Sequence, residues 1–290
     1  MKRTIGLLKL IVLSVLLVVF LTTTALGEVV SESVLKECKT WAQITIQELG
    51  REYELLIDPP FVLAGNMSRS QLEYYLNNTI YKASMALWKK FFDKHPKRPI
   101  RILLFANERS YRSQTKILYG DNDVSYFGYF RPDERTILMN ISTGDGTLVH
   151  ELTHALMAPD FPICPVWFEE AMGSLFEQCS LENDDIRGLM NWRFPILQRA
   201  INNNELIPLI DLLKVNRTEF EGEYRDLYYA EARYLALYLQ EKEVLVEFYK
   251  AFRDVHQTDL FGHATLEHIT GKKLEILQKE WIHWTETLKQ

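Results

Sequence analysis

The feature that most constrains this chain is the stretch Gly144-Asp145-Gly146-Thr147-Leu148-Val149-His150-Glu151-Leu152-Thr153-His154-Ala155-Leu156-Met157. Residues four apart lie one turn apart on the same face of a helix, so His150 and His154 can aim two imidazoles at one point. Leu148, Leu152, Ala155 and Leu156 form an apolar stripe at i, i+4, i+7 and i+8, which predicts a packed helix with Asp145 as its N-cap. Zinc accepts imidazole nitrogen at roughly 2.0–2.1 Å, and a catalytic zinc keeps three protein ligands plus a water. The spacing therefore predicts one zinc per chain and calls for a third ligand. Glu151 leans over the same point, where a carboxylate can take a proton from that water.

Three acids compete for the third position. Asp160 falls six residues after His154, where metzincins place a ligand, but those proteins turn the chain with a glycine and Met157 stands at that place here. Glu169 and Glu170 lie in Cys164-Pro165-Val166-Trp167-Phe168-Glu169-Glu170-Ala171-Met172-Gly173-Ser174-Leu175-Phe176-Glu177. Pro165 suits the first turn of a helix, and Trp167, Phe168, Ala171, Leu175 and Phe176 supply an apolar face. Glu169 is adjacent to Glu170 but points about 100° away from it around the helix.

With Trp167-Phe168-Glu169-Glu170-Ala171 following His-Glu-x-x-His, the chain resembles the gluzincin metallopeptidases. Their second zinc helix carries a Trp-Leu-x-Glu-Gly/Ala signature whose glutamate is the third ligand. Matched residue by residue, the resemblance implies Glu170 as that ligand. Fifteen residues separate His154 from Glu170, fewer than in the best-known gluzincins, which leaves a short connection.

At the start of the chain, Lys2 and Arg3 precede an apolar run from Ile11 to Leu21 and then Thr22-Thr23-Thr24-Ala25-Leu26-Gly27. This order predicts residues 1–27 as a signal peptide cleaved after Gly27 and a secreted or extracytoplasmic location. The alternative is an uncleaved anchor from Ile5 to Leu21 that tolerates Lys9. Losing Lys2, Arg3 and Lys9 makes the formal charge of −6 three units more negative, which argues against a nucleic-acid partner. Membrane association follows only if the segment stays attached, and the oligomeric state is left open. Of the three cysteines, Cys164 and Cys179 flank the second zinc helix. They could staple it in an oxidising compartment or, with Cys38, pack as small apolar residues.

The rest, residues 28–290, has the apolar content for a sizeable core and no visible repeat. Residues 30–49 read as an amphipathic helix ended by Gly50, and Tyr53 to Leu63, interrupted by Pro59 and Pro60, as an edge strand followed by extended chain. Ser68 caps a longer helix that the segment His95 to Pro99 ends. Ile100 to Phe105 is a compact strand, Glu108 to Leu118 a short helix, and Tyr126 to Phe130 and Thr136 to Ile141 a strand pair. After Glu177 the periodicity is helical, over Asp184 to Ile201, Leu209 to Leu213, Leu227 to Gln240, Glu243 to Asp254 and Leu274 to Leu288.

This order, together with Tyr228 to Leu239 and Ile269 to Trp281, is similar to that of bacterial gluzincin-like peptidases over roughly residues 99–290. The resemblance implies an α+β, thermolysin-like zincin domain over 28–290. It would have a helical and extended part at 28–98, a small mixed sheet plus zinc helices at 99–178, and a mainly helical part at 179–290. It also implies hydrolysis of peptide or protein substrates, with Glu151 as general base and Gly128-Tyr129-Phe130 as the edge strand that holds an extended peptide. By position Tyr229 matches the gluzincin oxyanion donor, with Tyr228 next. Glu177, two turns beyond Glu170 on the same face, is placed either to accept an imidazole N–H or to stay solvated. The contrasting expectation is a scaffold of the same fold that binds peptide without cutting it.

Overall fold

Ile100-Arg101-Ile102-Leu103-Leu104-Phe105 is apolar on both faces, the pattern of a strand covered on both sides. In a computed structural model that describes residues 31–50 and 52–289, it is the central strand of a five-stranded mixed sheet. Before it come helix α1 (Glu32–Leu49), strands β1 (Glu54–Asp58) and β2 (Phe61–Gly65), and helices α2 (Arg69–Tyr75) and α3 (Tyr81–Lys90). A single π turn, Leu76–Ile80, joins α2 to α3. Then follow β3 (Ile100–Phe105), α4 (Glu108–Tyr119), β4 (Gly128–Arg131) and β5 (Thr136–Asn140). The sheet order is β1-β2-β3-β5-β4, parallel at β2/β3 and β3/β5 and antiparallel at both edges.

The alternation of side chains along β3 and β5 divides the core. Leu103, Phe105 and Leu138 pack with Leu49 and Tyr111 on the face covered by α1 and α4. Ile102, Leu104, Ile137 and Met139 join the larger cluster on the other face. Arg101 is the polar exception in β3. It stays buried because its guanidinium donates to Thr136 (3.2 Å), Glu48 (2.5 Å) and Tyr119 (2.5 Å).

The larger cluster is built on α5 (Gly146–Met157) and α6 (Val166–Phe176). A hairpin, β6 (Cys179–Glu182) and β7 (Asp185–Gly188), leads into the helices that complete it. These are α7 (Phe194–Asn203), α8 (Leu209–Leu212), α9 (Arg217–Phe220), α10 (Arg225–Glu241), α11 (Leu245–Val255), α12 (His263–Thr270) and α13 (Leu274–Thr287). Helix α10 lies against α6 and buries Arg233, whose guanidinium donates to the carbonyls of Ser174 (2.9 Å) and Leu189. The fold is thus α+β, a small mixed sheet followed by helices. No helix of the described residues is long and apolar enough to cross a membrane, and the predicted leader, residues 1–27, lies outside those residues.

The structure corrects several sequence expectations. Pro59 and Pro60 do not end the sheet at one edge strand. They form the two-residue connection between β1 and β2, with Asp58 paired to Phe61, so their missing N–H groups fall outside the ladder and β2 runs on as an interior strand. The segment expected as helix from Asp184 begins instead with β7. Asn183 and Asp184 take positive φ of 54° and 56°, the tight hairpin turn that such short polar residues tolerate. Asp145 occupies the N-cap position of α5 but makes no side-chain cap bond, because its carboxylate accepts from Thr79 Oγ1 at 2.9 Å. The three cysteines are free, so Cys164 and Cys179 do not staple α6.

Candidate metal centre

Helix α5 presents His150 and His154 on one face, as their spacing requires, with ring centroids 4.7 Å apart and planes at 76°. Helix α6 crosses beside it and contributes Glu170. Its Oε2 lies 3.3 Å from His150 Nε2 and 3.5 Å from His154 Nε2. One donor atom from each of the three falls within 4.8 Å of the others, and all three residues are buried. This buried group could hold a metal ion. Glu170 Oε2 has no hydrogen-bond partner, a costly state for a buried carboxylate oxygen unless something else binds there. Two neutral imidazole nitrogens and one carboxylate oxygen make a donor set suited to zinc.

Two glycines allow the helices this close. A Cβ on Gly173, one turn after Glu170, would fall 2.9 Å from His154 Nε2 and 3.0 Å from His150 Nε2. A Cβ on Gly146, at the start of α5, would meet the carbonyl oxygen of Glu177 at the end of α6. Both side chains are absent where the two helices pass, so the ligands converge without distorting either backbone. Neither glycine stood out in the sequence, although Gly173 lies in the stretch that carries the third acid.

Burial and neighbouring charges set the ionisation of these groups. Burial opposes charge on His154, but the adjacent Glu170 carboxylate outweighs it and raises the imidazole to about 9. Burial also opposes charge on Glu170, yet the two histidines hold its carboxyl well below the usual range. For Glu151, burial wins and the carboxyl is raised, with the histidines and the Phe130 backbone N–H pulling the other way. Glu151 is therefore a stronger base than an exposed glutamate and sits beside the strand that forms the wall of the site.

A cleft of about 470 Å³ runs over the group. Its walls include Gly128 to Phe130 of β4, Glu151 of α5, Trp192, and Tyr229 of α10. Strand β4 is an edge of the sheet, as its sequence suggested, so its outer backbone groups face away from β5. The Tyr229 hydroxyl donates to Glu221 at 3.2 Å, and burial raises its phenol, keeping it a proton donor. Tyr228 instead stacks on Phe220 at 5.5 Å and does not line the cleft.

The other expectations sort cleanly. Asp160 is outside the group and is fully engaged elsewhere. It accepts from the backbone N–H of Asp93 (3.0 Å) and Lys94 (2.9 Å), from Tyr249 Oη (2.9 Å) and from Arg253 (2.9 Å). Glu177 does not serve an imidazole, because Arg193 takes its carboxylate. The carboxylate that does face one is Glu169, with Oε1 at 3.9 Å from His154 Nδ1, a buried nitrogen without a partner. The sequence reading also missed Arg217, whose guanidinium donates to Glu170 Oε1 at 2.5 Å and to Glu169. No local pattern pairs a residue in a four-residue helix with acids almost fifty positions earlier. No protein-family model and no curated protein matches this chain.

Proposed function

We propose that the chain is an exported zinc-dependent metallopeptidase with a zincin fold of the gluzincin type. The observation that carries the reading is Glu170 Oε2, buried, unpartnered and aimed between the Nε2 atoms of His150 and His154, with Glu151 on the same helix facing the same cleft. Zinc held by His150, His154 and Glu170 would act as Lewis acid toward the scissile carbonyl and make the attacking water more acidic. The chain's own groups supply the rest. Edge strand β4 offers backbone N–H and C=O groups to an extended peptide, which holds it without reading its side chains. Glu151, its basicity raised by burial, accepts the proton of the attacking water and delivers it to the leaving amine. Tyr229, protonated and lining the same cleft, turns its hydroxyl from Glu221 to donate to the carbonyl oxygen as charge develops there. Export rests on the segment from Lys2 to Gly27.

Glu151→Gln tests the reading. Glutamine keeps the size and can still hold the water, but it has no basic carboxylate. We expect unchanged zinc content and a loss of roughly 10²–10⁴-fold in peptide cleavage. The assay is a broad peptide library read by mass spectrometry at matched zinc occupancy. Equal cleavage by parent and variant would remove Glu151 as the base. Capture of intact peptides by both, without products, would favour the binding scaffold.

A further inference from the structure

Arg217 belongs to α9, a four-residue helix fixed by a capping box in which Asn216 and Glu219 bond each other's backbone N–H. From there its guanidinium reaches back to α6 and divides its fork between two acids. Nη1 donates to Glu170 Oε1 and Nη2 to Glu169 Oε2. The remaining oxygens are the ones that matter for the metal group. Glu170 Oε2 is left facing both imidazole Nε2 atoms, and Glu169 Oε1 is left facing the unpartnered Nδ1 of His154. One cation thus fixes which oxygen of each carboxylate is free.

We infer that Arg217 is a positioning residue of the metal centre, holding Glu170 as a one-oxygen ligand and Glu169 as the carboxylate that orients His154. A guanidinium suits this task because its planar fork spans two acceptors, whereas an ammonium is a single point of charge. It also places a positive charge among Glu151, Glu169 and Glu170, which all line the same cleft. Carboxylates that hold the far nitrogen of a ligating imidazole commonly change metal affinity 10–100-fold when lost. Arg217 contacts the third ligand and, in Glu169, the carboxylate placed 3.9 Å from that nitrogen of His154.

The inference rests on the metal reading above, and the test separates the two. Parent, Arg217→Met and Arg217→Lys, each as the full chain, are titrated with zinc against a chromophoric chelator. Each is also loaded with cobalt(II) and its visible absorption recorded. The melting temperature of each metal-free protein is measured alongside. We expect the parent to bind one zinc, Arg217→Met to bind roughly 10–100-fold more weakly, and Arg217→Lys to recover only part of the loss. The cobalt band of Arg217→Met should weaken, because a Glu170 carboxylate with both oxygens free raises the coordination number. Metal-free melting should stay near the parent's, since the Arg217 side chain is half exposed and the buried Glu170 carboxylate keeps the two histidines that hold it ionised. Parental zinc affinity and cobalt spectrum in Arg217→Met would overturn the inference while leaving the metal reading intact. So would a loss of metal that follows a fall in metal-free melting and is fully restored by lysine. If Arg217→Met does not fold, Arg217→Lys decides alone, and parental affinity in it overturns the inference. A parent that binds no zinc would instead sink the metal reading itself.

Discussion

Asp160 and Glu170 are both buried acids close after His154 in the chain, and their surroundings differ at every oxygen. Asp160 accepts four hydrogen bonds, two from backbone N–H groups and one each from Tyr249 and Arg253. It ties the end of α3 and the turn after α5 to α11, and no lone pair is left for a ligand. Glu170 has one oxygen tied to Arg217 and the other left bare between two histidines. The acid with complete partners stabilises the fold, and the one with an incomplete set marks the site. Counting what each oxygen lacks separates two residues that a motif search treats as rivals.

The largest test of this contrast is metal content. His154→Ala and Glu170→Ala should lose stoichiometric zinc by elemental analysis of gel-filtered protein, because two remaining ligands make a poor site. Asp160→Ala should keep its zinc but melt at a lower temperature, since it strands the backbone N–H groups of Asp93 and Lys94 and the Tyr249 hydroxyl, at about 1–3 kcal/mol for each group left buried, while Arg253 keeps Asp93 and Asp254. Zinc retained in Glu170→Ala and lost in Asp160→Ala would reverse the assignment.

Gly173→Ala probes the same contrast more gently. The added methyl would press on both imidazoles while touching nothing around Asp160. Overpacking of this kind typically costs about 1–3 kcal/mol, so zinc affinity should fall by roughly 10-fold or more in chelator competition. Unchanged affinity would mean that the helices part without moving the ligands.

Glu231 sharpens the contrast from a third side. It is fully buried in α10, with Oε1 accepting from the Ile207 N–H at 2.9 Å and Oε2 without a partner, yet among the described residues it belongs to no group that could hold a metal. Burial raises its carboxyl from 4.5 to about 8. The folded chain therefore holds this proton more tightly than the unfolded chain does. The associated stability is fully present below about pH 4.5 and is lost as pH rises toward 8, with a slope approaching about 1.4 kcal/mol per pH unit between them. Urea unfolding at pH 5 and pH 8 should show that decline in the parent and a flatter profile in Glu231→Gln. Equal slopes would show that Glu231 ionises in the fold without penalty.

Helical periodicity made much of this site legible. His150 and His154 share a face because the turn repeats every 3.6 residues, Glu151 lines the same cleft beside them, and a second helix carries both Glu169 and Glu170. Which of the two faces the histidines came only from the likeness of Trp167-Phe168-Glu169-Glu170-Ala171 to a family signature. The central strand and most helices also followed from apolar spacing, and the edge strand at Gly128 from the same family likeness. What the sequence hid depends on contacts between distant segments. Arg217 meets Glu169 and Glu170 only because α9 and α6 are brought together by α10. Gly173 looks like any small residue until the imidazoles are placed against it. The β6–β7 hairpin carried a local signal, Asn183-Asp184, that helical spacing on either side concealed.

The π turn at Leu76–Ile80 changes how this molecule can vary in length. Such a turn amounts to one residue inserted into an otherwise continuous helix. Removing Asn77 or Asn78 would take that extra residue out and let the turn close to ordinary α geometry, so the two flanking helices would keep their faces. A second deletion has no bulge to draw on. It would rotate everything on one side by about 100°, swing Thr79 away from Asp145 and cut the tie to the first turn of the helix that carries His150. At this exposed pair of asparagines the chain should therefore accept the loss of one residue and fail at two, unlike a surface loop, where length is free.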